Sequence, residues 1–312
     1  MKTDRPRTGF LGAPVETDLE QLDADIAILG TPFGWPYPDP GATVGCADAP
    51  AAIRDRAARL ANFADHWDFD ADAPMRTRPL VDAGDVPGRP DDGPGNSARI
   101  TAAVSAILDR DATPICLGGD DSVPIPILRA FADRGPLTIL QVDVHLDFRD
   151  EVAGIREGYS SPMRRASEMP HVERIIHVGL RGVGSARTAD VEDSRAAGNL
   201  LVAARELRER GVDWALEQIP ADASVFVSFD CDGLDPSVLP AVSALTPGGL
   251  GYREAWDLLS GVRDRMAGAV FTELVPGRDI NEISSLVVVR LVASLAAGAP
   301  RQQKTSPTST PS

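Results

Sequence analysis

Asp143, His145 and Asp147 alternate along Gln-Val-Asp-Val-His-Leu-Asp-Phe-Arg-Asp, residues 141–150. The run-up, residues 137–142, is aliphatic and β-branched and predicts a strand. With a side-chain period of two, the three polar groups leave on one side just where that strand ends. A second short apolar strand, residues 224–229, runs into Asp230-Cys231-Asp232-Gly233-Leu234-Asp235-Pro236, where Asp230 and Asp232 are again two apart. Strand ends of this kind are where open α/β sheets place their ligands. Carboxylates gathered so densely repel one another and resist ionisation unless cations lie between them. Hard divalent ions favour oxygen-rich shells, and one imidazole tilts the choice toward manganese over magnesium. A single Asp-x-Asp is ordinarily a solvated loop or a helix cap; two such clusters, each behind an apolar strand, point to a metal centre.

The elements that must position these groups follow from the periodicity. Residues 25–30 predict a first strand, followed by a Gly/Pro-rich loop, 31–45, long enough to lie over a site. Residues 48–60 predict a helix with Asp48 as N-cap and Pro50 in the first turn. Beyond a loosely patterned stretch come a helix over 97–110, a strand over 114–117 and a helix over 124–133, then the strand bearing Asp143. Strands over 174–180 and 200–202, a helix over 206–218, the strand bearing Asp230, a helix over 252–265, a strand over 269–274 and a helix over 282–297 complete the set. Strands alternating with helices, with little hairpin chemistry, predict an α/β fold: a three-layer αβα sandwich with a mostly parallel central sheet. We expect a single domain over 25–298, preceded by an N-terminal arm, 1–24. The tail, 299–312, is rich in Ser, Thr, Pro and Gln and is expected to be disordered.

At 312 residues the chain can bury a large core. Its net charge of −15 comes with no basic stripe, which argues against nucleic acid and anionic membrane as partners and suits a small cationic substrate. Cys46, Cys116 and Cys231 form no Cys-x-x-Cys pair, so neither a zinc knuckle nor a disulfide framework is indicated, and a reducing, cytoplasmic setting fits. The first residues lack the apolar stretch of a signal peptide, and no run of about 18 apolar residues is available to span a bilayer. Residues 286–297 come nearest, but Arg290 and Ser294 interrupt them.

Taken in order, these motifs resemble the ureohydrolase family, which contains arginase, agmatinase and related guanidino-acid hydrolases. The likeness runs from about residue 25 to 298. It rests on the loop from Asp39 to Gly45, Asp82-Ala83-Gly84-Asp85-Val86, the Gly118-Gly119-Asp120 turn, both acidic clusters, Thr246-Pro247-Gly248-Gly249-Leu250, and Glu273 at a strand end. The resemblance implies the arginase-like fold and two manganese ions per chain holding a bridging hydroxide. Asp143 and Asp230 resemble the bridging ligands, Asp147 a ligand of one ion, and His145 and Asp232 ligands of the other. Glu273 resembles the carboxylate that grips the substrate guanidinium, and a paired cation is the natural partner of such a group. Tyr159 and Ser160 are read as further substrate-binding residues, and a homo-oligomer, trimer or hexamer, is implied.

Two departures stand out. Where relatives carry a histidine after the Gly-Gly-Asp turn, this chain has Asp121, which can still ligate manganese through oxygen. The site would then hold five carboxylates and one histidine, and the added negative charge raises the pKa of metal-bound water. In Glu157-Gly158-Tyr159-Ser160-Ser161-Pro162 the proton-shuttling histidine of relatives is missing and the loop is about two residues short. Serine cannot replace imidazole as a base near neutral pH. His66, His171 and His177 read as structural or superficial. The expected activity is amidinohydrolysis: release of urea from a linear guanidino compound, agmatine or a guanidino acid. The Glu273-Leu274-Val275-Pro276 ending and the long N-terminal loop favour the agmatinase-like branch. The alternatives are a ureohydrolase-like regulatory or assembly subunit without ordinary turnover, and a hydrolase of a formimino or amide C–N bond.

Overall fold

The structure, a computed structural model, describes residues 1–38, 45–75 and 78–297. Most of the loop motif from Asp39 to Gly45, and the tail expected to be disordered, lie outside the described residues. The strands are β1 (Ile26–Thr31), the two-residue pair β2 (Trp67–Asp68) and β3 (Ala73–Pro74), β4 (Leu80–Asp85), β5 (Thr113–Gly118), β6 (Leu137–Val142), β7 (Val172–Leu180), β8 (Leu200–Ala203), β9 (Val225–Asp230) and β10 (Met266–Thr272). Eight of them form one sheet in the order β4-β1-β5-β10-β9-β6-β7-β8, and every pairing in it is parallel.

Parallel strands are joined by crossovers that cover both faces, so their residues are apolar on both sides. β1, Ile-Ala-Ile-Leu-Gly-Thr, is buried throughout, as are β5, β6 and β9. The period of two still sorts the side chains. Ile26, Ile28, Val225, Val227 and Phe229 enter one hydrophobic cluster. Ala27, Leu29, Ile139 and Phe226 enter the other. On the first face lie α1 (Ala49–Ala58), α6 (Ala204–Arg210), α7 (Val212–Glu217), α8 (Tyr252–Val262) and α9 (Ile283–Ala296), through residues such as Ile53, Leu207, Trp256 and Val288. The second face carries α2 (Gly93–Leu108), α3 (Pro124–Arg129), α4 (Pro162–Ser167) and α5 (Thr188–Ala196), through Ile100, Ile127, Met163 and Val191. The expected three-layer αβα sandwich is therefore present. Among the described residues no helix is long and apolar enough to cross a membrane.

Several local expectations need correction. Residues 206–218 are two helices, because Gly211 takes φ +87°, a conformation that breaks the helical path between α6 and α7. Strand β4 and helices α4 and α5 were not apparent from the pattern. β4 carries Asp82 among its buried residues, and the residues α5 buries are Asp190 and Ser194, so neither shows the apolar period. Asp48 precedes α1, yet its side chain makes no capping hydrogen bond.

The first residues pack on this core: Phe10, Leu11, Leu19 and Leu22 are buried. A buried ionic knot ties them down. Arg54 of α1 donates from Nε to Asp82 Oδ2 at 2.8 Å, from Nη2 to Asp82 Oδ1 at 3.0 Å and from Nη1 to Asp85 Oδ1 at 2.5 Å. Asp82 also accepts the Phe10 backbone N–H at 2.8 Å. The Asp-Ala-Gly-Asp motif is thus a structural clasp that joins the edge strand, α1 and the N-terminal segment. Removing one partner of such a pair leaves a buried charge uncompensated. Arg54→Met is expected to cost ~3–5 kcal/mol, read as a fall in the urea unfolding midpoint.

Candidate metal centre

Adjacent strands β5, β10, β9 and β6 present the candidate residues at their carboxyl ends. The chain runs from β5 to β6, outward through β7 and β8, and then returns to fill the gap with β9 and β10. The helices after β5 and β6 lie on one face and those after β9 and β10 on the other. Connections that part to opposite faces leave a crevice at the strand ends, the usual ligand position in such sheets. Register brings the groups together: Val142 pairs with Phe229 and Thr272 with Asp230, so Asp143 and Asp230 come level with Thr272, and Glu273 follows one residue on. β5 reaches them through a tight turn. A Cβ on Gly119 would stand 2.3 Å from the Pro32 carbonyl oxygen, so only glycine fits there.

Ligand atoms of Asp143, His145 and Asp232 lie within 4.8 Å of one another, and so do those of Asp121, Asp143 and Asp230. Asp143 belongs to both groups. Asp147 lines the same cavity as Asp121, His145, Asp230 and Asp232. The structure thus gathers Asp121, Asp143, His145, Asp147, Asp230 and Asp232 in one place. Short-range turns hold the two clusters. Asp143 Oδ1 accepts the His145 N–H at 2.5 Å, and Asp230 Oδ1 accepts the Asp232 N–H at 2.8 Å. The alternating spacing therefore does two jobs, since each leading aspartate also fixes the backbone that presents the next.

Asp121 supplies the test of fit. Its Oδ1 accepts from Thr272 Oγ1 at 2.7 Å, while its Oδ2 is buried with no hydrogen-bond donor among the described residues. A carboxylate oxygen buried without a donor, beside other buried carboxylates, suits a hard cation. Glu273 stands next to it. Its Oε1 accepts the Asp121 N–H at 2.9 Å, and the Cys46 thiol donates to its Oε2 at 3.5 Å. Glu273 and Asp147 both hold left-handed backbone, with φ of 63° and 47°, strain of about 1–3 kcal/mol each that concentrates at working sites.

A cavity of about 210 Å³ opens over these groups. Tyr159 and Ser160 line it, together with Ser185, Ser243 and Ala244, which the sequence pattern did not single out. Tyr37 was likewise missed. Its ring centroid lies 4.4 Å from that of Tyr159, and its hydroxyl accepts the Ser160 N–H at 3.3 Å, bracing the loop that carries both. A larger groove of about 720 Å³ near Trp67 and Phe69 is mostly apolar and holds no comparable cluster of ligands, so we place the chemistry in the smaller one. Of the remaining histidines, His66 is exposed, His171 bonds the Leu128 carbonyl oxygen, and His177 is fully buried behind the centre.

Burial, and then repulsion from neighbouring carboxylates, holds Asp121, Asp143 and Asp230 well above the ordinary carboxyl range. Burial also raises Asp147, and burial with the Asp120 charge pushes Glu273 up to about 8. Burial pulls His145 down, but the Asp232 hydrogen bond and the surrounding carboxylates outweigh it and raise the imidazole to about 9. Every one of these folded values lies above its unfolded reference. Without a cation, their contribution to stability is therefore lost as pH rises: above the ordinary carboxyl range for the aspartates, up to about 8 for Glu273, and from 6.5 to about 9 for His145. A cation that replaces those protons must restore more at higher pH. The rise in melting temperature on adding manganese to chelator-treated protein should grow steadily between pH 5 and 8; a pH-independent increment in a fluorescence melt would contradict this account.

Comparison with known proteins agrees with this arrangement. Residues 24–298 match the model of the arginase family. The chain is 31% identical over 309 residues to the mitochondrial arginase of Medicago truncatula, covering 94% of this chain and 87% of that one. It is 29% identical over 299 residues to an agmatinase of Salmonella newport, covering 92% and 91%. The solved proclavaminate amidino hydrolase of Streptomyces clavuligerus superimposes with a TM-score of 0.79 at 26% identity, covering 93% of this chain and 95% of that one. With the family match spanning nearly the whole folded chain, and an α/β sheet of the corresponding architecture, this protein belongs to the arginase family of ureohydrolases.

Proposed function

We propose that this chain is a binuclear-manganese amidinohydrolase that releases urea and an amine from a linear guanidino compound, with agmatine-like substrates preferred. One observation carries the reading: five of the six candidate ligands and Glu273 line a single small cavity at four neighbouring strand ends, and the sixth, Asp143, is common to both groups of ligand atoms. Asp121, Asp143, His145, Asp147, Asp230 and Asp232 would hold two ions. Such a pair, when bound, supplies a nucleophilic water at neutral pH and Lewis acidity. Glu273 binds and orients the guanidinium, its carboxylate fixed by the Asp121 N–H and the Cys46 thiol. Asp147 accepts the proton of the attacking water and returns it to the departing nitrogen as the C–N bond breaks. Tyr159 and Ser160 line the entrance. Among the described residues no lysine or arginine lines the cavity, so its charge favours a cationic substrate over a carboxylate-bearing one. The likeness to an agmatinase points the same way. A cytoplasmic setting and a homo-oligomer, trimer or hexamer, belong to the same proposal.

A second reading has an observation of its own. Among the described residues His145 supplies the only imidazole lining the cavity, so the proton shuttle of relatives has no counterpart there. A noncatalytic subunit would fit that, as would a hydrolase of a formimino or amide bond. Metal analysis with product assay separates them. Two equivalents of manganese and urea from agmatine support the amidinohydrolase; one equivalent or none, with no urea from a guanidino panel, supports the noncatalytic reading; ammonia or formamide in place of urea supports the third.

Substitutions test the shared centre. Asp121→His is expected to retain or raise both manganese affinity and turnover, because imidazole is the ligand of relatives and removes one of the crowded charges. Asp230→Ala should abolish both. If calorimetry and urea assay find the two variants alike and unaffected, the shared centre is wrong.

A further inference from the structure

Gln141 and His177 take no part in the chemistry above, yet they form the wall behind it. They face each other in register on β6 and β7, and both are buried. Gln141 Nε2 donates to Asp143 Oδ2 at 2.7 Å, and Gln141 Oε1 bonds His177 Nδ1. The amide fixes the direction of this chain: Gln141 turns its nitrogen toward Asp143 and its carbonyl oxygen, which can only accept, toward His177. His177 must then carry its proton on Nδ1, which leaves Nε2 as an acceptor. Burial keeps this imidazole neutral, pulling its pKa down to about 3. Its Nε2 is buried and no donor among the described residues reaches it.

A buried acceptor without a partner costs roughly 1–3 kcal/mol. A phenyl ring at 177 would fill similar space and remove that orphan, but it would leave Gln141 Oε1 without its donor, so the imidazole is there for its hydrogen bond and not for packing alone. What imidazole adds is one donor at one place. Asp143 is the residue common to both candidate ligand groups, so a small rotation of its carboxylate disturbs both at once. We infer that Gln141 and His177 are a positioning pair for this shared carboxylate: the His177 Nδ1–H locks the Gln141 amide, and the locked amide aims Asp143 at the metal centre. The inference rests on the metal-centre reading above. Groups that orient metal ligands from behind tune affinity without touching the ion.

The test compares His177→Phe, which removes the donor, with His177→Asn, whose side-chain N–H can occupy the place of Nδ1–H. Manganese affinity of the chelator-treated full chain is measured by calorimetry, and pairing of the two ions by the spin-coupled manganese signal in electron paramagnetic resonance. His177→Phe is expected to weaken binding by about 10–100-fold and lose the coupled signal, while His177→Asn stays within about threefold of wild type. The metal-free melting temperature of His177→Phe should stay near that of wild type, because one orphaned acceptor, Gln141 Oε1, replaces another, His177 Nε2, so a loss of manganese affinity would not report unfolding. Gln141→Met serves if the phenylalanine variant does not fold, and should show the same loss of affinity. Wild-type affinity in His177→Phe or Gln141→Met, or equal losses in the Asn and Phe variants, would overturn the pair while leaving the metal centre intact. A wild-type chain that binds no manganese overturns the centre and the pair together.

Discussion

Mutual repulsion among buried carboxylates is the constraint on which the rest of this structure depends. Two like charges 4 Å apart at an effective dielectric constant of 20 repel by about 4 kcal/mol. A few such pairs match the whole net stability of an ordinary domain, about 5–15 kcal/mol. The aspartates at the ends of β5, β6 and β9 therefore cannot all be ionised unless positive charge sits among them. Their raised pKa values express the same fact from the proton side, and the unpartnered Asp121 oxygen expresses it in geometry.

Holding such groups together requires a scaffold that cannot relax away from them. The parallel sheet provides it, because strands buried on both faces between two helical layers have little freedom to shift register. The topology then opens the crevice in the middle of the sheet. Strands that arrive late in the chain, β9 and β10, occupy its centre and send their connections to the opposite face from those of β5 and β6. Rigidity and access thus come from one arrangement. The Arg54–Asp82 clasp closes the far edge and fastens the N-terminal segment to it.

The two departures from relatives meet in this frame. Asp121 is held by Thr272 through its side chain and by Glu273 through its backbone, so the turn after β5 and the end of β10 are fastened together. Tyr37, from the loop after β1, steadies the loop that carries Tyr159 and Ser160. The consequence is a small cavity lined by carboxylates, with His145 its one imidazole among the described residues.

What the sequence determined by itself was the layered α/β class and the two acidic clusters. Both rest on short-range regularities: apolar strands buried on two faces, and the spacing of two that puts Asp143, His145 and Asp147 at one strand end. Elements without an apolar period, β4 with its buried Asp82 and α5 with its polar buried positions, were silent for the same reason. The tertiary structure decided the rest. Only strand order could set Asp121, Asp230 and Glu273 beside Asp143, since the residues between them in the chain lie elsewhere in the sheet. Gln141, too, gains its meaning only when β7 brings His177 alongside, because a hydrogen bond between strands depends on register and no local pattern encodes it.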